Sequence, residues 1–290
     1  MMYLSRPLSV APRGVGSQLF SSSSLLRKNE SVSELFGSST IVLVGPPGSG
    51  KGTYGKMLAK HLSGLRKHSV PWDMVTASDI LKQNAEFKRD YVDKGRLGSD
   101  DVVTGFVADF VVSNYGRSSS ASPNNLILDG FPRTTGQLDN MINDQSSFAI
   151  NGVSLALMVV IDLPDWVCET KMGGRVECKF CGSGFNVASV EEGGYDMPAI
   201  LPPKDPATCR GRACGSMLNE SEWIKPRRSD DVDPNILKRR LETYRDTTHK
   251  VVGHYLDRGG NTVVFDPKNG IDDFHILAEK VVEQLNFSRQ

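Results

Sequence analysis

A glycine-rich segment with one lysine, residues 45–53 (GPPGSGKGT), carries the strongest chemical signal in the sequence. Four apolar residues precede it, which is typical of a short buried strand, and residues 54–62 carry apolar side chains at helical spacing. The glycines allow successive backbone N–H groups to point into one concavity, and a helix N-terminus adds positive potential there. Lys51 adds a mobile full charge. Strand, glycine loop, lysine and helix together predict a phosphate-binding loop.

The loop departs from the common phosphate-loop consensus at one position. The consensus places Ser or Thr directly after the lysine, whereas Gly52 follows Lys51 here and Thr53 comes next. A glycine-rich turn that contains a lysine by chance is the alternative interpretation. The flanking strand and helix patterns favour the phosphate-binding loop over that alternative.

Four cysteines form two pairs in the middle third of the chain. Cys178 and Cys181 are separated by two residues and Cys209 and Cys214 by four, and Gly-Ser follows the second cysteine of each pair. A glycine there can take a positive φ, which turns backbone N–H groups towards the thiolates. Four thiolates on two turns suit a structural zinc ion, with free thiols or disulfides as the alternatives. The fifth cysteine, Cys168, lies in an apolar stretch and is predicted to be a small buried residue.

Composition places the chain among ordinary globular proteins. It has 290 residues, zero formal net charge and 39% hydrophobic residues, so no basic excess indicates a nucleic-acid partner. The longest nearly apolar run, residues 153–161, is too short to span a bilayer. Nothing in the pattern demands a partner subunit. We therefore expect a monomer that contacts neither membrane nor nucleic acid.

The first 29 residues contain no Asp or Glu, but they contain four basic residues and a run of four serines. This composition is typical of mitochondrial or chloroplast transit peptides, and an ordinary disordered tail is the alternative. We expect residues 1–38 to lie outside the fold and to direct the protein to a mitochondrion, either the matrix or the intermembrane space. The chloroplast and the cytoplasm are the alternative locations.

Short apolar strands alternate with helical patterns along the rest of the chain. This alternation predicts a parallel sheet that is covered by helices on both faces. The predicted strands are residues 41–44, 72–75, 126–128, 155–161 and 262–265. Residues 235–255 have a helical pattern, and a helix after Ser99 is predicted to have the apolar face Val102, Val103, Phe106, Val107, Phe110 and Val111. Residues 76–98 and 173–227 interrupt the alternation. We interpret both as insertions at the carboxyl ends of strands, where α/β sheets place their ligands.

The chain resembles the adenylate kinases, in their form with an extended lid. The resemblance spans about residues 40–285 and rests on the phosphate loop together with residues 94–97, 129–133 with Gln137, 228–231 and 240–244. It implies an α/β protein with the P-loop nucleoside monophosphate kinase fold, in which a parallel five-stranded core sheet flanked by helices carries two inserted subdomains. It divides the chain into a core (39–75, 99–172 and 228–290), a monophosphate-binding insertion (76–98) and a lid with a four-cysteine site (173–227).

The resemblance also implies a reaction. It is the reversible, Mg²⁺-dependent transfer of the γ-phosphoryl group of ATP to AMP, which gives two ADP. A GTP:AMP phosphotransferase, another nucleoside monophosphate kinase and a catalytically weak nucleotide-binding or scaffold homologue are the alternatives. Such a transfer requires two anionic substrates held in line with their charge neutralised. Arginines from several segments are therefore expected to converge on the phosphate loop.

The same resemblance assigns candidate site residues. Asp129 resembles the carboxylate that holds Mg²⁺ through water, and Gln137 resembles the residue that reads the adenine edge of AMP. The catalytic candidates are Lys51, Asp129, Arg133, Arg228 and Arg240, with Arg239 as the alternative to Arg240. The ATP-binding candidates are Gly45, Gly48, Ser49, Gly50, Lys51, Gly52, Thr53, Arg175 and Arg228. The AMP-binding candidates are Ala77, Lys82, Arg96, Leu97, Gly98, Gly130, Arg133, Gln137 and Arg240. The metal candidates are Cys178, Cys181, Cys209 and Cys214.

Two departures from the family pattern fall in the monophosphate-binding insertion. Ala77 stands where the family carries Thr, and Lys82 stands where the family carries an arginine that grips phosphate. Lysine is a point charge without the bidentate fork of arginine. These departures weaken the expectation that AMP is the acceptor.

Two further departures fall at the entrance to the lid. The positions of two family arginines are occupied by Thr170 and Gly174, while Lys171 and Arg175 are adjacent to them. A lost charged hydrogen bond is worth roughly 1.5–3 kcal/mol. We therefore expect weaker nucleotide binding unless the adjacent basic residues compensate, and the base of the donor, ATP or GTP, is left open.

Overall fold

The computed structural model describes residues 38–65, 70–92, 98–117, 125–203, 209, 224–227 and 233–287. The strands, in chain order, are β1 (Ser38–Val44), β2 (Trp72–Thr76), β3 (Asn125–Asp129), β4 (Val153–Ile161), β5 (Arg175–Cys178), β6 (Gly184–Asn186), β7 (Ile224–Pro226) and β8 (Thr262–Phe265). One five-stranded sheet has the order β2-β3-β1-β4-β8, and all its pairings are parallel. The predicted parallel five-stranded core sheet is therefore confirmed.

The helices, in chain order, are α1 (Lys51–Gly64), α2 (Ala77–Leu81), α3 (Ala85–Phe87), α4 (Asp100–Tyr115), α5 (Thr135–Ile142), α6 (Ser147–Ile150), α7 (Asp165–Gly173), α8 (Pro234–Thr243), α9 (His249–Asp257) and α10 (Phe274–Phe287). All of them except α7 and α8 contribute buried residues to the two apolar clusters on the faces of the core sheet. Ile41 and Leu43 of β1 pack in one apolar cluster with α1 and α10. Val42 and Val44 pack in a second cluster with α4, α5 and α9. Because the side chains of successive strand residues point to opposite faces of the sheet, the apolar run of β1 contributes side chains to both clusters.

Two helices differ in detail from the sequence prediction. The helical pattern of residues 235–255 is divided between α8 and α9 by a π-helical segment, Tyr244–Thr248. The apolar face predicted for α4 is right at Val103 and Val107, which are buried, but wrong at Val102, whose side chain is 47% exposed. No helix within the described ranges is both long and apolar enough to cross a bilayer.

The second predicted insertion contains a separate antiparallel sheet in the order β6-β5-β7, which we call the lid sheet. After β6 the chain folds back on itself through two antiparallel bridges, Asn186–Ile200 and Val190–Met197. We call residues 187–200 the lid arm. Side chains of the arm pack in an apolar cluster with α7 and α8. The arm therefore joins the lid sheet to the core. Residues 1–37 of the predicted N-terminal targeting segment lie outside the described residues, and its last residue, Ser38, begins β1.

Candidate active site

The phosphate loop connects β1 to α1 at the carboxyl edge of the core sheet. Gly48 and Gly50 have φ values of +96° and +86°, a region that residues with a side chain rarely adopt. Gly50 is the N-cap of α1, and its carbonyl oxygen accepts hydrogen bonds from the N–H groups of Thr53 and Tyr54 at 2.8 and 3.0 Å. The helix begins directly after the loop, and the first N–H groups of a helix have no partner within it. The end of the loop is therefore suited to an anion.

Close packing explains why the loop has glycine at two of its positions, Gly45 and Gly48. A Cβ atom at Gly45 would lie 2.7 Å from the carbonyl oxygen of Ile161, and one at Gly48 would collide with the carbonyl oxygen of Cys168. A Cβ at Gly52 would meet nothing within 4 Å, so the departure from the consensus leaves open space beside Lys51. Cys168 is fully buried, as predicted, and burial raises the pKa of its thiol to about 12.

The ammonium group of Lys51 is held by the loop itself. Its Nζ atom donates hydrogen bonds to the carbonyl oxygens of Gly45 at 2.6 Å and Pro46 at 2.9 Å. Burial lowers the pKa of Lys51 to about 8, because the charged form loses hydration. A phosphate group would restore the lost stabilisation of the ammonium charge.

Charged groups from three other segments act on Lys51. After burial, the largest influence on its pKa is the Asp129 carboxylate, which raises it, and then come Arg175 and Arg133, which lower it. Such influences weaken with distance, so all three charges are within electrostatic range of the Lys51 ammonium group. They come from the end of β3, the turn after β3 and the start of β5. Arg133 and Arg175, two of the cationic groups expected at the loop, therefore both act on the charge of its lysine.

Ser49 provides an unpaired polar group at the same place. The residue is 2% exposed, and within the described part of the chain its hydroxyl oxygen has no hydrogen-bond partner. Buried polar groups are almost always paired. A phosphate oxygen at the loop would supply the missing partner, so the loop fits the anion predicted for it.

The turn after β3 gathers several of the predicted monophosphate-binding residues. Gly130 has a φ of +84°, and its carbonyl oxygen accepts a hydrogen bond from Arg133 Nε at 3.0 Å. The Arg133 backbone N–H donates to Gln137 Oε1 at 2.8 Å, and Gln137 Nε2 donates to Asp100 Oδ1 at 3.0 Å. Gln137 is only 2% exposed. Ala77 is buried beside this turn, 3.9 Å from where a Cβ of Gly130 would lie.

Other predicted residues lie further from this turn or in parts that the structure does not describe. Lys82 is an exposed residue that forms an ion pair with Asp79, with an Nζ–Oδ1 distance of 3.5 Å. Gly98 packs against Phe87, where a Cβ would lie 2.6 Å from the ring. Arg240 is half-buried in the last turn of α8. Arg96, Leu97 and Arg228 lie outside the described residues.

The two basic residues at the entrance to the lid have different partners. Lys171 Nζ donates to the carbonyl oxygens of Ala188, Met197 and Pro198 at 2.9, 3.2 and 3.3 Å, and burial lowers its pKa. Lys171 is therefore engaged with the lid arm. The charge of Arg175 acts instead on Lys51. Of the two adjacent candidates, Arg175 is the one whose charge reaches the loop.

Three of the four candidate metal ligands come together at the lid sheet. The Sγ atoms of Cys178, Cys181 and Cys209 lie within 4.8 Å of one another, and those of Cys181 and Cys209 are 3.7 Å apart. Burial and the two neighbouring thiols raise the pKa of Cys209, because negative charges this close repel. Three cysteine sulfurs at these distances form a donor set that suits a soft divalent cation such as Zn²⁺.

The turn around the cysteines has the backbone geometry expected of it. Gly182 has a φ of +67°, and the Phe180 N–H donates to Cys178 Sγ at 3.4 Å. Backbone donors of this kind stabilise negative charge on sulfur. Cys214, the fourth predicted ligand, lies outside the described residues.

Two features of the site are missed by sequence reasoning. A cavity of about 370 Å³ adjoins the phosphate loop at Pro46, and its other lining residues are Asp162, Leu163, Asp165, Tyr244, Arg245 and His249. Asp162 directly follows β4, just as Asp129 is the last residue of β3. An acidic residue at a strand end is therefore the sequence feature that could have indicated this cavity. The second missed feature is the hydrogen bond between Asp100 and Gln137. No sequence pattern indicates it, because 37 positions separate the two residues.

A parallel α/β sheet with an anion-binding loop, and with cationic side chains from separate segments around its lysine, defines a P-loop nucleotide-binding protein. Comparisons with known proteins make this class more specific. The family profile described as adenylate kinase matches residues 43–260. The chain belongs to the adenylate kinase family and is a phosphotransferase, which confirms the resemblance inferred from the motifs.

Individual relatives carry two different names. The chain is 31% identical over 227 residues to an adenylate kinase of Methanococcoides burtonii, which covers 76% of this chain and 87% of that protein. It is 31% identical over 236 residues to a GTP:AMP phosphotransferase of Plasmodium falciparum, with 81% and 92% covered. It is 29% identical over 229 residues to an adenylate kinase of Caldicellulosiruptor bescii, with 76% and 87% covered.

Proposed function

We propose that the protein catalyses the reversible transfer of the γ-phosphoryl group of ATP to AMP, with Mg²⁺, to give two ADP. The observation that carries this proposal is that the charges of Asp129, Arg133 and Arg175, which come from three separate segments, all act on Lys51. Phosphoryl transfer depends on positioning and charge neutralisation rather than on covalent help from the protein. Cationic groups from separate segments around one anion-binding loop supply both.

The donor triphosphate would occupy the phosphate loop. The N–H groups at the start of α1, the unpaired Ser49 hydroxyl and the Lys51 ammonium would hold its phosphates. On binding, the ammonium would exchange its two loop carbonyl partners for phosphate oxygens. Arg175, at the start of the lid sheet, would neutralise further charge. Asp129 would hold Mg²⁺, which supplies positive charge at the phosphates when bound.

The acceptor would lie on the other side of the loop, at the turn after β3. Arg133 is exposed, so its guanidinium can grip a phosphate bidentately. Gln137 and the backbone around Gly130 would contact the nucleoside. Arg240 and Arg228, from the far side of the lid insertion, would complete the set of cations. Closure of the lid over both substrates would exclude water and prevent hydrolysis of ATP.

An assay that couples ADP formation to ATP and AMP tests the reaction. We expect Lys51→Met and Arg133→Met each to lower turnover at least about 100-fold, the scale for losing one charge-stabilising donor. Arg89→Met is the matched control, because Arg89 is an exposed arginine paired with the adjacent Asp90. Folded, metal-loaded protein that forms no ADP from these substrates would contradict the proposal.

A GTP:AMP phosphotransferase is the second candidate. The engagement of Lys171 with the lid arm favours keeping this candidate, because that residue is then not free to contact the donor base. The similarity to the Plasmodium falciparum protein supports it as well. Comparing kcat/KM for ATP and GTP, with AMP as the acceptor, decides between the two donors.

We also propose that the cysteine cluster binds a structural zinc ion. Cys178, Cys181 and Cys209 would be ligands, and Cys214 would be the fourth. The mutual distances of the three described sulfurs support this assignment. Elemental analysis should find about one zinc per chain. Cys181→Ser should lose it, whereas Cys168→Ala, at the buried cysteine outside the cluster, should keep it.

We propose further that residues 1–38 target the protein to a mitochondrion and that the protein is a monomer. The acid-free, arginine- and serine-bearing composition of residues 1–29 supports the first proposal. Imaging of a fluorescent protein fused behind residues 1–38 tests the targeting. Light scattering on the purified protein tests its oligomeric state.

A further inference from the structure

Asp100 makes a contact that links the start of α4 to the turn after β3. Its Oδ1 atom accepts a hydrogen bond from Gln137 Nε2 at 3.0 Å. At the other end of the same amide, Gln137 Oε1 accepts a hydrogen bond from the Arg133 backbone N–H at 2.8 Å. Gln137 is 2% exposed, so few alternative partners are available to it in the described structure.

The two partners of the amide fix which way round it lies. A backbone N–H can only donate a hydrogen bond, and a carboxylate can only accept one. Rotating the Gln137 amide by 180° would place its NH₂ group against the Arg133 N–H and its oxygen against the Asp100 carboxylate. Both bonds would be lost, and two repulsive contacts would replace them.

A fixed amide has consequences for the base that it can read. The Gln137 amide keeps one N–H and one oxygen lone pair beyond these two bonds. Adenine presents a 6-amino donor beside a ring-nitrogen acceptor, and a glutamine amide pairs with such an edge through two hydrogen bonds. Hypoxanthine presents the opposite order, an oxygen acceptor beside an N–H donor. An amide that can rotate matches either base, whereas a fixed one matches a single order.

We propose that Asp100 is a positioning residue that fixes the Gln137 amide and thereby sets the selectivity of the acceptor site for adenine over hypoxanthine or guanine. This inference rests on the proposed acceptor role of Gln137 and extends it to a residue that has no part in the phosphate contacts. The Gln137 amide that bonds Asp100 also accepts the hydrogen bond of the Arg133 backbone N–H. The Arg133 side chain in turn donates a hydrogen bond from Nε to the Gly130 carbonyl oxygen. Base reading and phosphate binding are therefore coupled through one chain of hydrogen bonds.

The test is Asp100→Asn, which keeps the shape of the side chain but can either donate or accept. Only the Arg133 N–H would then oppose the flipped Gln137 amide, so the preference for one orientation would weaken. We expect the ratio of kcat/KM for AMP to that for IMP to fall about tenfold or more, with KM for ATP changed less than about twofold. The matched control is Asp101→Asn, which removes the same charge from the same first turn of α4 at an exposed position. This control should keep the wild-type ratio.

Binding measurements separate failure of this inference from failure of the proposed function. The ratio of the Kd values for AMP and IMP, measured by calorimetry, should change in Asp100→Asn just as the kinetic ratio does. If wild-type protein forms no ADP, the proposed reaction is wrong, and the Kd ratio still tests the role of Asp100. If Asp100→Asn weakens AMP binding but keeps the AMP-to-IMP ratio, Asp100 is a structural residue only and the inference is overturned. Should that variant not fold, Asp100→Ser, whose hydroxyl also donates and accepts, takes its place.

Discussion

At the scale of single residues, the phosphate loop requires glycine at position 48 but not at position 52. Gly48 combines a φ of +96° with a close approach to the Cys168 carbonyl, whereas a Cβ at Gly52 would face open space. We expect Gly48→Ala to lower the free energy of unfolding by at least about 2 kcal/mol, because a side chain in this region of φ costs roughly 1–3 kcal/mol before any collision. Gly52→Ala, in the first turn of α1, should be neutral or stabilise by about 0.5–1 kcal/mol. Urea denaturation of both variants measures the difference, and equal destabilisation would contradict the packing argument.

The lowered pKa of Lys51 predicts a pH dependence of nucleotide binding. Burial brings this pKa to about 8, so the nucleotide-free protein loses the ammonium proton above that pH. A bound phosphate stabilises the ammonium form, and binding above pH 8 must therefore take up a proton. We expect the Kd for MgATP to be constant below pH 8 and to rise by up to about tenfold per pH unit above it. Calorimetry in buffers of different ionisation enthalpy detects the proton uptake.

The variant Lys51→Met provides the control for that titration. It should bind MgATP more weakly at every pH and show no proton uptake that begins near pH 8. A Kd of the wild-type protein that stays constant from pH 7 to 9.5 would show that the Lys51 proton is not linked to binding.

The conformation and burial of a single residue can be predicted from the sequence where they depend on its neighbours in the chain. The positive φ at Gly182 and the burial of Cys168 are both predicted correctly from local pattern. The contact of Gly48 with Cys168 and the bond from Gln137 to Asp100 are not, because each joins residues that only the folded sheet brings together.

At the scale of elements, the lid arm depends on Lys171. Its ammonium group bonds three carbonyl oxygens of the arm, those of Ala188, Met197 and Pro198. We expect Lys171→Met to lower the free energy of local opening of residues 188–198 by roughly 1–3 kcal/mol, because these carbonyls lose a charged donor. Hydrogen exchange of the arm's amides measures this change. Lys179→Met, at an exposed lysine on the lid turn, should leave their protection unchanged.

Strands and helices whose apolar residues recur at regular spacing are predicted well from the sequence, whereas irregular segments are not. All five core strands are found where the apolar runs place them, because strands buried on both faces have little freedom in composition. The π-helical segment Tyr244–Thr248 carries no change in apolar spacing that would reveal it. The lid arm is held by backbone carbonyls bonded to a distant lysine, and such contacts leave no periodic pattern in the sequence.

At the scale of the whole molecule, the core sheet and the described part of the lid sheet differ in the size of the apolar clusters packed against them. The core sheet lies between two large apolar clusters. Among the described residues at the lid sheet, Cys178 and Cys209 form a small buried cluster, and the partly buried Cys181, Phe185 and Ile224 pack against it. The described residues of this cluster bury little apolar surface, which agrees with the proposal that a zinc ion stabilises the lid sheet.

Removal of the proposed zinc ion should therefore unfold the lid sheet without unfolding the core. We expect a zinc chelator to abolish hydrogen-exchange protection in residues 175–186, while β1 and β4 keep theirs. The thermal transition of the core should move by no more than a few degrees, because its two clusters contain no part of the cysteine site. A chelator saturated with Zn²⁺ beforehand should have no effect on either region. If chelation instead removed protection from β1 and β4 to the same extent, the lid and core would form one cooperative unit, and the separation of their stabilities would be wrong.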